Sequence, residues 1–167
     1  MTVSPELRKL VLTAHISVSA GWLGAIVGFL ALAVAGVTSE NPQTVRATYL
    51  AMELMGWYAL VPLALASLAT GLIQSLGSTW GLFRHYWVVF KLLINVFATI
   101  VLLMYTQTLD SLAQAATESS GGDVSALRTA SPLLHACAAL LLLLAATVLA
   151  VYKPSGLTPY GRRKRLP

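Results

Sequence analysis

Apolar positions fall into four long runs separated by short polar stretches. The runs cover residues 10–37, 52–76, 87–109 and 132–152. A helix rising ~1.5 Å per residue crosses a ~30 Å hydrocarbon core within each run. The pattern predicts an all-α fold: a polytopic membrane protein whose four transmembrane helices form an antiparallel bundle. The chain reads as a single membrane domain ending in a basic tail, residues 153–167. Thr38-Ser39-Glu40-Asn41-Pro42 supplies turn chemistry after the first run, with helix resuming near Pro42 or Thr44. Pro62 lies inside the second run and should kink it or loosen one turn. Residues 111–130 read as a flexible loop around Glu118-Ser119-Ser120-Gly121-Gly122-Asp123. The tail, with three prolines and two glycines, is expected to lie irregularly on the membrane surface.

Polar residues inside these runs are the informative exceptions. At ~100° per residue, His15, Ser19, Trp22 and Ile26 share one face of the first helix. An imidazole at that depth needs a partner, because hydrocarbon offers none. Ser17, Gly21, Gly24, Gly28, Ala31 and Ala35 line the opposite face. Gly24-Ala-Ile-Val-Gly28 is a GxxxG pattern, which lets a neighbouring backbone approach closely. That Gly24/Gly28 face is an expected contact for a homo-oligomer or a larger membrane complex. In the second helix Glu53, Trp57, Leu60, Ala64, Ser67 and Gly71 share a face; in the third, Lys91, Asn95, Ala98, Leu102, Tyr105 and Thr106 form the most polar stripe in the chain. The leucine run 140–144 in the fourth helix is expected to face lipid.

Composition strengthens this picture. The chain is 57% hydrophobic and 10% charged, against about 25% charged in a soluble domain, so most of its surface should meet the lipid bilayer. The net charge of +5 would suit nucleic acid, but Arg162-Arg163-Lys164-Arg165 is clustered beside the last span, where topology explains it and no nucleic-acid partner is expected. Arg8, Lys9, Arg84, Lys91, Lys153 and the tail cluster fall on one side of the membrane, and Arg46 and Arg128 on the other. The positive-inside rule then places both termini in the cytoplasm of a multi-pass inner (plasma) membrane protein. The single cysteine, Cys137, excludes an intramolecular disulfide. Walker loop, GxSxG, HExxH and CxxC motifs are all absent, so the sequence assigns no catalytic residue.

Depth decides which polar groups can meet. His15, Lys91 and Asn95 all enter from the side of the termini and can form one cluster. Lys91 taken alone reads as a side chain snorkelling to the interface. His135 and Glu53 enter from the other side and stay near that edge, where together they are a weak candidate for a divalent cation. His15 and His135 should differ in depth by roughly 15–20 Å, too far for one haem held between two histidines. Trp22, on the His15 face near the midplane, is expected to line whatever site His15 forms.

His15-x6-Trp22-x-Gly24 resembles the first-helix signature of small bacterial membrane proteins of the CopD-like and HemJ-like groups. Trp87-Val-Val-Phe-Lys91-Leu-Leu is similar to a later helix of the same groups. The HemJ likeness implies a haem b site with His15 as ligand to the haem iron, Lys91 nearby, and oxidation of protoporphyrinogen. The CopD likeness implies copper handling beside a periplasmic partner. Met104-Tyr105 stands where the HemJ pattern has a further histidine, and methionine-rich copper motifs are missing. Two expectations follow. In the first, haem b is bound by His15, lined by Trp22, with Lys91 on a propionate and Asn95 beside it. In the second, the chain is a non-enzymatic membrane subunit or small transporter whose Lys91–Asn95–Thr106 stripe lines a narrow path.

Overall fold

A computed structural model describes residues 4–77, 81–119 and 124–163. Helix α1 spans Pro5–Thr38, α2 Pro42–Leu76, α3 Tyr86–Glu118, α4 Ser131–Tyr152, and the short α5 Pro159–Arg163. The first four are long and apolar enough to span a membrane, as a multi-pass, all-α bundle requires. The α1 start is fixed by Ser4, whose hydroxyl accepts from the Leu7 N–H at 3.3 Å, with Pro5 at the first helical position. Asn41 caps α2 in the same way, accepting from Gln43 N–H at 2.9 Å ahead of Pro42.

The helices run up, down, up and down. Around the bundle α1 packs on α2 and α4, and α3 packs on the same two, so α1 and α3 face each other across the diagonal. The core along that diagonal holds Trp22, Ile26 and Phe29 from α1 and Ala98 and Tyr105 from α3. Phe90, Leu93, Phe97 and Ile100 on α3, and Leu141 and Val148 on α4, point outward, as a lipid-facing surface requires. Within the α4 leucine run only part faces out: Leu141 and Leu144 are exposed, and Leu143 is buried in the core. The 3.6-residue period makes a continuous leucine block serve both faces.

Pro62 has the predicted effect, in a defined form. Gly56–Leu60 is a turn of π-helix, and the Val61 N–H reaches back five residues to the Gly56 carbonyl. Proline has no N–H to donate and its ring crowds the carbonyl four residues earlier; the wider turn accommodates both. Gly56 sits where a Cβ would come within 2.8 Å of Leu109 Cδ1, so α2 and α3 approach closely there.

Two elements differ from the expectation. Helix α3 continues nine residues past Leu109, to Glu118, through much of the predicted loop. Leu109, Ala113 and Ala116 fall on one face of this extension and are buried. Leu109 and Ala116 join Val45, Tyr49 and Met52 of α2, and Leu127, in a cap at that end of the bundle. The Tyr49 hydroxyl donates to the Leu127 carbonyl and ties the cap together. Residues 120–123 of the predicted loop lie outside the described residues, as do residues 164–167 of the tail.

The tail is also more ordered than predicted. Lys153 ends α4 in the left-handed conformation (φ 44°), and Pro154 forbids further helix. The chain then turns back along residues 83–86. Leu157 bridges antiparallel to His85, Thr158 N–H donates to the Arg84 carbonyl at 3.1 Å, and Tyr86 N–H donates to the Gly156 carbonyl at 3.3 Å. Thr158 then accepts at its hydroxyl from Gly161 N–H, 3.1 Å away, and α5 begins.

The small face of α1 is used unevenly. A Cβ on Gly28 would lie 2.9 Å from Met55 Cε and one on Gly21 3.4 Å from Leu63, so α2 occupies those positions. A Cβ on Gly24 would meet nothing within 4 Å.

Candidate functional site

His15 is 6% exposed and both ring nitrogens are engaged. Nδ1 lies 3.0 Å from Thr70 Oγ1, and Nε2 lies 3.2 Å from Lys91 Nζ. The Thr70 hydroxyl has one hydrogen, and it points to the Ala66 carbonyl at 2.6 Å. Nδ1 of His15 must therefore be the donor to Thr70, which leaves a lone pair on Nε2. That lone pair accepts from Lys91. A directional chain results: Lys91 to His15 to Thr70 to a backbone carbonyl, across α1, α2 and α3.

The backbone makes room for this ring. A Cβ on Gly71 would lie 3.1 Å from His15 Cε1, so the imidazole rests on a helix surface that lacks a side chain. One turn deeper, Ser19 and Ser67 hydroxyls meet at 2.9 Å between α1 and α2. Asn95 is buried and spends its amide N–H on the Lys91 carbonyl at 2.8 Å, and the Thr99 hydroxyl repeats the pattern on the Asn95 carbonyl. Self-satisfied polar groups like these are cheap to keep in a membrane helix.

A cavity of about 90 Å³ lies beside the pair. Ser67, Gln74 and Ser75 of α2 and Trp87, Lys91 and Asn95 of α3 line it with His15. Among the lining residues there is no carboxylate. Lys91 Nζ has His15 as its partner among the described residues, and no ion pair. A cationic side chain thus sits at the edge of a small polar chamber with nothing acidic to balance it.

The other sequence candidates lie elsewhere. Trp22 is 2% exposed and borders a second cavity, also of about 90 Å³, between α1, α3 and α4. Seven residues of helix, ~10 Å of rise, carry it away from His15. His135 borders that second cavity too, stacked on Tyr105 with ring centroids 3.9 Å apart and planes 20° from parallel. Glu53 is not among its lining residues. No three His, Cys, Asp or Glu side chains come together as a metal site among the described residues. The structure therefore groups His15, Lys91 and Asn95, and places Trp22 with His135. Thr70 and Gly71, which hold the imidazole, were not singled out as site residues from sequence. Thr70 is hidden because a hydroxyl bonded back to its own helix carries no signal in a hydropathy pattern.

A haem b ligated by His15 would need a free Nε2 and a slot for the macrocycle. Here Nε2 holds Lys91, and the adjoining space is about 90 Å³ where pockets for larger organic ligands run to roughly 300–1,000 Å³. The arrangement does not fit that group.

No family model matches the chain, and no curated protein or solved structure is returned as similar to it.

Proposed function

We propose that the protein is a small membrane carrier that binds a small anion at the His15–Lys91 pair, reached from the side of the membrane where both termini lie. The observation that carries this reading is a half-buried lysine against a buried imidazole, beside a cavity lined by several polar side chains and no acid. A charge inside a membrane helix is costly unless something compensates it, ~2.5–3.5 kcal/mol on insertion scales at the helix centre and less at Lys91, in the second turn of α3. The imidazole lone pair relieves part of that cost. An anion in the chamber would relieve the rest, with Lys91 N–H groups left over from the His15 bond as its donors. The small size of the space, about 90 Å³, favours a ligand of a few heavy atoms.

Passage onward is blocked by Trp22, Ile26, Leu60 and Ala98 in the centre of the bundle. A carrier must move something to open that block. The π-turn at Gly56–Leu60 and Pro62 together lie just before the α2 segment that carries Ser67, Thr70 and Gly71. A broken turn of this kind is a natural pivot in a membrane helix. The excess of Lys and Arg on the terminal side supports a plasma-membrane protein with both ends in the cytoplasm, so that the chamber opens inward.

The test is uptake of labelled chloride, phosphate and a monocarboxylate into proteoliposomes. Wild type is expected to exceed protein-free vesicles for at least one anion, and Lys91→Gln to remove the excess while the protein stays folded by circular dichroism. Equal uptake by Lys91→Gln and wild type would defeat the reading.

A further inference from the structure

We propose that the cleft between α1, α3 and α4 binds a membrane-soluble ring compound bearing a carbonyl, of the quinone class, that enters sideways from the bilayer. The first observation is Trp22. Its indole is 2% exposed, it borders the cleft, and its Nε1–H has no hydrogen-bond partner among the described residues. Buried indole N–H groups are normally satisfied, and those without a partner require an explanation. Apart from the Tyr105 hydroxyl and the His135 ring the lining is apolar, including Phe29, Leu102 and Leu142, and no side chain among the described residues accepts that hydrogen. A carbonyl oxygen on an apolar ligand would accept it. An acyl chain would not.

The second observation is independent. His135 stacks on Tyr105 and forms a flat aromatic edge to the same cleft. Nδ1 of His135 lies 2.9 Å from the Ser131 carbonyl, which can only accept, so Nδ1 carries the hydrogen and Nε2 the lone pair. The Tyr105 hydroxyl is held by Ser131 Oγ at 3.0 Å, which fixes the other ring of the stack. His135 itself is exposed, on a helix whose neighbouring outward residues, Leu134 and Leu141, are apolar and open. His135 lies in the second turn of α4, near the membrane edge, where its ring can border the cleft at the mouth a ligand from the bilayer would use. The cleft thus offers one donor, one acceptor and a planar aromatic wall in an otherwise apolar space. A ring with a carbonyl on one side and a hydroxyl or second carbonyl on the other matches that set. The space of about 90 Å³ is below the ~150 Å³ that encloses a whole benzene ring elsewhere, as suits a ring held with one edge in the bilayer.

The probe is a short-chain benzoquinone, partitioned between nanodiscs holding the full chain and empty nanodiscs. Saturable binding above the empty discs is expected. Trp22→Phe, which keeps an aromatic ring and removes the N–H, should weaken it about tenfold, as should His135→Leu. Lys91→Gln, at the other cavity, should leave it unchanged. In the wild type, the ¹⁵N-indole signal of Trp22 should move on adding the quinone, a readout that holds even if a variant fails to fold. Binding no greater than in empty discs, an unmoved Trp22 signal, or equal displacement by palmitate would overturn the proposal, the last showing an acyl-chain groove.

Discussion

His15 Nε2 and Lys91 Nζ meet at 3.2 Å across the diagonal of the bundle, from helices whose backbones are not close neighbours. The contact adds a polar link between α1 and α3 to the apolar core they share. Lys91→Leu should leave the His15 lone pair buried and unpaired, costing about 1–3 kcal/mol by the general penalty for such a group. Membrane helices often soften that penalty, since average interhelical hydrogen bonds are worth only ~0.6 kcal/mol. A double-mutant cycle with His15→Phe, read by unfolding in mixed detergent micelles, should give a coupling of about 1 kcal/mol. Strict additivity of the two single variants would show that the pair is contact without interaction.

The Lys91–His15 bond also predicts the spectrum of the purified protein. A nitrogen already accepting from a lysine is not offered to iron, so protein from haem-replete cells should be colourless between 380 and 450 nm, to the order of the detergent baseline. A Soret band that disappears in His15→Ala would show that Lys91 yields the position to haem, and the anion reading would fall with it.

Gly71 tests the site without touching a polar group. A methyl there would begin 3.1 Å from His15 Cε1, so the ring must shift by a few tenths of an ångström. Gly71→Ala should retain the fold, because alanine is favoured over glycine in a helix by ~1 kcal/mol. Gly71→Val should tilt the imidazole away from Lys91 and reduce anion uptake several-fold. Unchanged uptake by the valine variant would mean that the position of the ring does not matter to transport.

Four apolar runs made the spans legible, because hydropathy over twenty residues averages out local exceptions. The ends were not legible for the opposite reason. Asp110, Ser111 and Gln114 make the α3 extension look like loop, and only the spacing of Leu109, Ala113 and Ala116 gives away a buried face. That face is mostly alanine, which contributes little to a hydrophobic pattern. At the site, His15, Lys91 and Asn95 stood out as polar residues in apolar surroundings, and depth put them in reach of one another. Nothing in one sequence could tell that Lys91 would turn to an imidazole instead of reaching for the interface, since the choice depends on which helices face each other. Trp22 shares the His15 face by angle, and its rise along the helix takes it to the second cavity.

The folded-back tail gives the remaining prediction. Proline at 154 and glycine at 156 argue against helix, so the segment reads as irregular. Its order comes from contacts remote in sequence: the Arg84 and Phe83 carbonyls accept from Thr158. Gly161 is where the fit is closest, since a Cβ there would run into the Arg84 carbonyl oxygen, backbone that cannot swing aside. Gly161→Ala should therefore release α5 from the 83–86 segment without disturbing the bundle. Hydrogen exchange should accelerate at least tenfold at Thr158 and Arg162, whose N–H groups are hydrogen-bonded in the docked tail, while amides of α1 and α3 keep their rates. Arg162 and Arg163 would then be freed from a fixed position at the membrane surface, and binding to anionic vesicles should change in salt dependence. Unaltered exchange at Thr158 would mean that the tail is held by something other than the Gly161–Arg84 approach.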